Sequence, residues 1–270
     1  MERQNPFPPA LDGLVAWQNA ARMVTANREV LMAIAGVFFM LPALLFAVLV
    51  PQPDLPEGLT GKAAFQALSD YYGAASPYLL TVTVLQLAGM LAILIVMTDR
   101  TRPTVGQAIR RGFKGSLPYL VSQLLYGLAL GVGLGIVLAL GTLTGIPAVA
   151  AALIIVAAAF AINVFLRLLL IAPVLAVEGG RNPLAAMGRS WRLTHGQVWR
   201  MGAFFGLALV LFLVVSSLIM MVTGIILTLV AQGELQRVLT DAVSSAITAV
   251  ALVYFAGMLA AVHQQLAQQD

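Results

Sequence analysis

The chain has 270 residues, 60% of them hydrophobic and only 10% charged, with a mean hydropathy of +0.94. A water-soluble globule carries about a quarter of its residues charged, so this composition excludes one and makes lipid the solvent. The net charge of +4 does not signal nucleic acid, because the basic residues are spread among short segments between apolar runs, and the lack of cysteine excludes disulfides, thiolate metal sites and a cysteine nucleophile.

Six apolar runs are predicted, over residues 30–50, 77–98, 117–140, 147–176, 201–231 and 243–263. A helix crosses the hydrocarbon core with about 20 residues and satisfies its backbone internally. The runs are continuous and rich in Ala, Leu, Val and Gly, which excludes the alternating strands of a β-barrel. The expected fold is all-α: one polytopic membrane domain over 1–270, with six transmembrane helices arranged as three hairpins. Polar and amphipathic residues precede the first run, and that run is long enough to span, so no cleaved signal is expected.

Along the chain, Leu14, Trp17, Ala21 and Val24 form a first apolar stripe, with Arg22 and Arg28 as its basic element. After the first run, a loop over 51–76 begins Pro-rich and continues with Phe65, Leu68 and Tyr72 at helical spacing, which predicts a lid helix on the outer surface. Ahead of the third run, Thr104 and Gln107 fit a capping box, and Val105, Ala108, Ile109, Gly112 and Phe113 share one face. The third run carries Gly127, Gly131 and Gly135, with Gly133 between, a small-residue spacing that serves either an intramolecular contact or a homodimer.

In the fourth run Arg167 is the one charged residue well inside an apolar stretch, which makes it a functional candidate. Asn163 lies one turn earlier. Gln123 and Tyr126 sit at similar depth in the preceding run, so all four are expected to converge on one polar site, against the alternative that Arg167 snorkels or locks helices. Pro173 leaves the Leu169 carbonyl without its donor and predicts a kink. Glu178 then stands beside Arg181, Arg189 and Arg192, where an ion pair would pin the following segment. There Asn182 is an expected cap, Pro183 suits the first helical position, and Leu184, Met187, Gly188 and Trp191 make an apolar face.

The segments before the third and fifth runs share Ala-x-x-Arg-x-aromatic-basic: Ala108, Arg111, Phe113 and Lys114 align with Ala186, Arg189, Trp191 and Arg192. Three repeat units are read, over about 9–98, 103–176 and 182–264, each an amphipathic elbow helix followed by a hairpin. The elbow's apolar face sinks into the headgroup boundary while its Arg face meets anionic phospholipid.

Orientation follows from charge. Arg3, Arg22, Arg28, Arg100, Arg102, Arg110, Arg111, Lys114, Arg181, Arg189, Arg192 and Arg200 fall on one side, and only Lys62 and Arg237 on the other. The positive-inside rule places the first group, and both termini, in the cytoplasm.

The stretch from Pro173 through Glu178 to Asn-Pro-Leu-Ala-Ala-Met-Gly-Arg-Ser-Trp-Arg and on to Arg200 resembles the bacterial membrane domain family of glycerophosphoryl diester phosphodiesterase, matching at Pro173, Glu178, Ala186, Arg189, Ser190 and Trp191. In proteins of that name the hydrolase is a separate soluble domain, and none is expected here. The resemblance implies a standalone module of the bacterial inner membrane with a tie to lipid or envelope homeostasis. His195 and His263 have no paired carboxylates at metal-ligand spacing, and no nucleophile set or phosphate loop is seen. The expectation is a noncatalytic lipid-organising protein with no cofactor, its partners the anionic phospholipids of the cytoplasmic leaflet. The alternatives are a transporter or lipid flippase around Arg167, and a subunit that binds a second copy or a protein partner.

Overall fold

A computed structural model describes residues 11–50, 61–99, 101, 103–179 and 182–268. Arg3, Arg100, Arg102, Arg181 and the Pro-rich start of the outer loop lie outside the described residues. Among the described residues the chain is helical without strands: α1 (Gly13–Ala26), α2 (Arg28–Ala35), a π-helical turn (Gly36–Met40), α3 (Leu41–Leu49), α4 (Gly61–Thr98), α5 (Val105–Leu143), α6 (Pro147–Leu168), α7 (Ile171–Glu178), α8 (Pro183–Leu193), α9 (Val198–Val230) and α10 (Gly233–Ala267). Six stretches are long and apolar enough to cross a membrane, and each overlaps one predicted run. The chain is a multi-pass α-helical membrane protein.

Helix starts follow local chemistry. Asp12 Oδ1 accepts from the Leu14 and Val15 amides at 2.9 and 3.1 Å. Thr104 and Gln107 close the expected capping box, and Asn182 Oδ1 accepts from the Leu184 and Ala185 amides at 3.0 and 3.3 Å.

Two expected joints are absent. The lid segment and the second span form one helix, α4, which runs through Pro77. Pro77 removes the amide that would serve the Gly73 carbonyl, and the Ser76 hydroxyl donates to that carbonyl at 2.7 Å, so the helix continues. The second elbow is likewise continuous with the third span, because α5 passes Pro118 without a break. Its stripe residues Ala108 and Gly112 are buried, and Gly112 packs on Ala88 and Ala92 of α4. The third elbow, α8, is a separate helix joined to α9 by a turn over 194–197, and α1 is parted from α2 at Asn27.

At the centre lie α4 and α10, where residues 88–95 and 256–263 are buried throughout. Helices in lipid associate by close packing, not by the hydrophobic effect, and small residues of these segments admit their neighbours: Ala88 and Ala92 face Gly112 of α5, Gly89 faces Phe38, and Gly257 faces Ala20 and Val24 of α1. The most extensive contact is α4 on α5, which crosses the boundary between two expected hairpins.

One end of the molecule collects the basic segments. Trp17 of α1 stacks on Tyr254 of α10 at 6.1 Å, the Asp12 amide donates to Gln265 Oε1 at 3.2 Å, and the Leu11 amide donates to Gln197 Oε1 at 3.3 Å. At the opposite end the Tyr78 hydroxyl donates to the Pro42 carbonyl at 2.5 Å, and Arg237 pairs with Glu234 at 2.9 Å. The core belongs to the basic end: no residue of 123–140, 147–167 or 206–230 is buried, although Tyr126, Val164 and Ala208 pack against the core from its edge. The glycine stripe lies in that exposed region. A Cβ at Gly127, Gly131, Gly133 or Gly135 would meet nothing within 4 Å, which overturns an intramolecular role for the stripe.

Candidate functional site

The site residues gather where α6 ends. Leu168 is the last residue of α6, and the chain turns at Leu169 and Leu170 before α7 begins, the break that Pro173 predicts. This leaves the Arg167 carbonyl without a helical donor, and α8 supplies one: the Ser190 hydroxyl donates to it at 2.7 Å and the Thr194 hydroxyl reaches it at 3.4 Å. Ser190 and Thr194 are both fully buried.

The Arg167 side chain is held by the same elements. Its Nε donates to Asn163 Oδ1 at 3.0 Å, and the guanidinium lies 4.6 Å from the Trp191 ring centroid. A cation over an indole face contributes about 0.5–2 kcal/mol, depending on desolvation. The expected four residues are not joined by hydrogen bonds into one site. The Tyr126 hydroxyl donates to Gln123 within α5, and among the described residues no hydrogen bond joins that pair to Arg167 or Asn163. Depth in the membrane places residues on a level but does not rotate their helices to face each other, and Arg167 is claimed by α8. Its geometry is that of a fastener between α6 and α8.

Beyond α7 the chain turns at Gly179, whose φ of +67° is a conformation that favours glycine. The turn sets α8 back against α7, and Glu178 Oε1 accepts from Arg189 Nε at 3.2 Å. The expected ion pair at Glu178 therefore exists, with Arg189 as its partner. Buried His263 of α10 points Nε2 at the same oxygen from 3.5 Å. Glu178 thus joins α7 to α8, with His263 of α10 beside the pair.

A second polar cluster closes the α4–α5 junction. Arg111 Nη1 donates to Asp99 Oδ2 at 2.6 Å, while the Thr101 amide and hydroxyl each donate to Asp99 Oδ1 at 2.8 Å. Phe113 of the second elbow packs on Phe38 with centroids 5.9 Å apart. Lys114 projects beside a cavity of about 550 Å³ between the ends of α4, α5 and α7. Among the described residues no group of three or more His, Asp and Glu side chains converges as a metal site.

In comparisons with known proteins, no family model, no curated protein and no solved structure matches the chain. The site is therefore read from its own geometry. Sequence reasoning missed Thr194, Asp99 and the reach of His263, and it noted Ser190 only for its resemblance. The available signal was two hydroxyls four apart, Ser190 and Thr194, on the side of α8 that also carries Ala186 and Leu193, since a buried hydroxyl needs a partner.

The Thr101 amide and hydroxyl, with Arg111 adding to them, hold the Asp99 carboxyl below the ordinary aspartate range. A depressed carboxyl contributes stability above its unfolded value of about 3.9 and loses it as pH falls through the lower folded value. Carbon-13 titration of Asp99 is expected to show a midpoint below that of a free aspartate. In Arg111→Ala the midpoint stays low, because the Thr101 bonds are the larger cause; a free-aspartate value in the unaltered chain would contradict the geometry.

Proposed function

We propose that this chain is a noncatalytic protein of the bacterial inner membrane that gathers anionic phospholipid at the cytoplasmic leaflet, with its basic end and both termini inside. One observation carries the reading. Arg28, Arg110, Lys114, Arg192 and Arg200 are exposed at that end, and among the described residues none has a carboxylate partner. Each cation near an anionic leaflet adds about 1 kcal/mol of attraction. Trp199 is 90% exposed beside Arg200 and suits the headgroup boundary, where indole rings concentrate. Arg111 and Arg189 already pair with Asp99 and Glu178, so the larger share of the leaflet contacts falls to the exposed cations that have no carboxylate partner among the described residues.

The test is retained lipid. Native mass spectrometry of the protein extracted from membranes is expected to show bound phosphatidylglycerol, reduced by about fivefold for each of Arg192→Ala and Arg200→Ala. Unchanged retention in the double variant would remove the reading. Arg167 donates Nε to Asn163 and lies against the Trp191 ring, an arrangement that suits a fastener between α6 and α8 more than a transport site.

A partner-binding role is the second reading. Its favouring observation is the unburied glycine stripe on α5, facing outward beside the bare halves of α6 and α9. Stoichiometric copurification of a second chain or copy tests it.

A further inference from the structure

We infer that the cavity between the ends of α4, α5 and α7 is a binding site for a phosphate ester anion, held by Lys114 and Arg111 at the inner boundary of the membrane. The inference rests on the proposed orientation and deepens the lipid reading by naming one site and one ligand chemistry.

The cavity, about 550 Å³, lies within the ~300–1,000 Å³ typical of small-ligand sites. Its lining divides by chemistry. Ile95, Leu175 and Ala176 make an aliphatic wall, while Asp99, Arg111 and Lys114 make a polar one. A molecule with a charged head and an apolar body matches that division. The charge is also unequal. Asp99 is already engaged, since Oδ1 accepts twice from Thr101 and Oδ2 accepts from Arg111. It neutralises Arg111 and leaves Lys114 as the excess cation, which among the described residues has no carboxylate partner. One net positive charge beside the remaining guanidinium donors of Arg111 suits a singly charged phosphodiester, which accepts hydrogen bonds from both. Gly115 and Gly179 at the rim add no side chain to the opening.

The chain contains two lysines, and this permits a local test. Lys114 lines the cavity, whereas exposed Lys62 sits in the first turn of α4 at the opposite end. The full chain is placed in nanodiscs of phosphatidylcholine alone, or of equal parts phosphatidylcholine and phosphatidylglycerol, and acylated with an amine-reactive ester. Modification at each lysine is read by mass spectrometry. Phosphatidylglycerol is expected to slow Lys114 about fivefold relative to Lys62, the factor that corresponds to one leaflet cation. Ala176→Trp fills the cavity without changing its charge and is expected to abolish the difference. Asp99→Asn raises the positive charge and is expected to make protection appear at a lower phosphatidylglycerol fraction.

A third arm adds inorganic phosphate to the neutral discs. Slowing of Lys114 there supports the phosphate site and assigns it to a soluble ester, while slowing by phosphatidylglycerol alone assigns it to lipid. Equal slowing of both lysines, protection that persists in Ala176→Trp with no gain in Asp99→Asn, or no slowing in any arm overturns the inference. Lipid retention lost only in the Arg192 and Arg200 variants leaves the broader reading standing without this site, so the two failures are distinguishable.

Discussion

Gly112→Ala is expected to separate α5 from α4 and to be strongly destabilising. A Cβ at Gly112 would stand 2.4 Å from the Ala88 carbonyl oxygen, 3.1 Å from the Ala92 nitrogen and 3.3 Å from the Ala92 Cβ. Two of those atoms are backbone of a buried helix, so no rotamer change relieves the overlap and the helices must move apart. Overpacking of a fitted interior costs about 1–3 kcal/mol, and here it falls on the most extensive helix contact in the molecule.

Other glycines grade the effect. At Gly115 the added carbon meets only the Leu91 Cδ1, at 2.9 Å, the far end of a flexible side chain, and Gly115→Ala is expected to be mild. At Gly131 it meets nothing, and Gly131→Ala is expected to be neutral or to gain up to ~1 kcal/mol of helix propensity. Unfolding midpoints in mixed detergent and dodecyl sulfate measure the order. Gly112→Ala unfolding with the unaltered protein would show that α4 and α5 do not cross here.

The paired change Ser190→Ala and Thr194→Val is expected to release α8 from the break between α6 and α7. Both hydroxyls are buried; Ser190 donates to the Arg167 carbonyl, which the break has left without a helical donor, while Thr194 lies 3.4 Å from that carbonyl and nearer the Ser190 carbonyl, at 3.0 Å. An orphaned buried carbonyl costs about 1–3 kcal/mol in water-soluble proteins, while interhelical bonds in membranes average about 0.6 and reach ~1.7. A loss of about 1–2 kcal/mol follows. Ser190→Ala alone is expected to account for most of it, since its bond is 2.7 Å against 3.4 Å for Thr194. Faster hydrogen exchange through residues 183–193, with α9 unchanged, is the signature. Unaltered exchange in the double variant would mean that Trp191 and Glu178 hold α8 by themselves.

The caps show how far local chemistry reaches. Asp12, Asn182 and the Thr104–Gln107 box act within a few residues of the chain, and the sequence specifies them as it stands. Prolines were less informative. Pro173 coincides with a break, yet Pro77 lies inside a continuous helix because Ser76 satisfies the freed carbonyl. Pro118 also lies inside a continuous helix, so a proline in an apolar run does not by itself mark a break. Arg167 illustrates the same limit at the site. That it needs a partner is plain from an ionised group in an apolar run, but the partner is Trp191 of α8 and not the Gln123–Tyr126 pair, and only the path of the chain through the Gly179 turn brings that ring over it.

By itself the sequence determined that the bilayer is the solvent, where six helices run and which ends of them are basic, because hydropathy, capping and charge are properties of contiguous residues. Tertiary structure alone decided that Gly112, not the regular stripe at Gly127, Gly131 and Gly135, is the point of closest approach, and that packing concentrates at the basic end. The physical reason is rotational: every apolar helix in lipid can present any face, and only contact with a second helix, through atoms distant in the chain, selects the face that is buried.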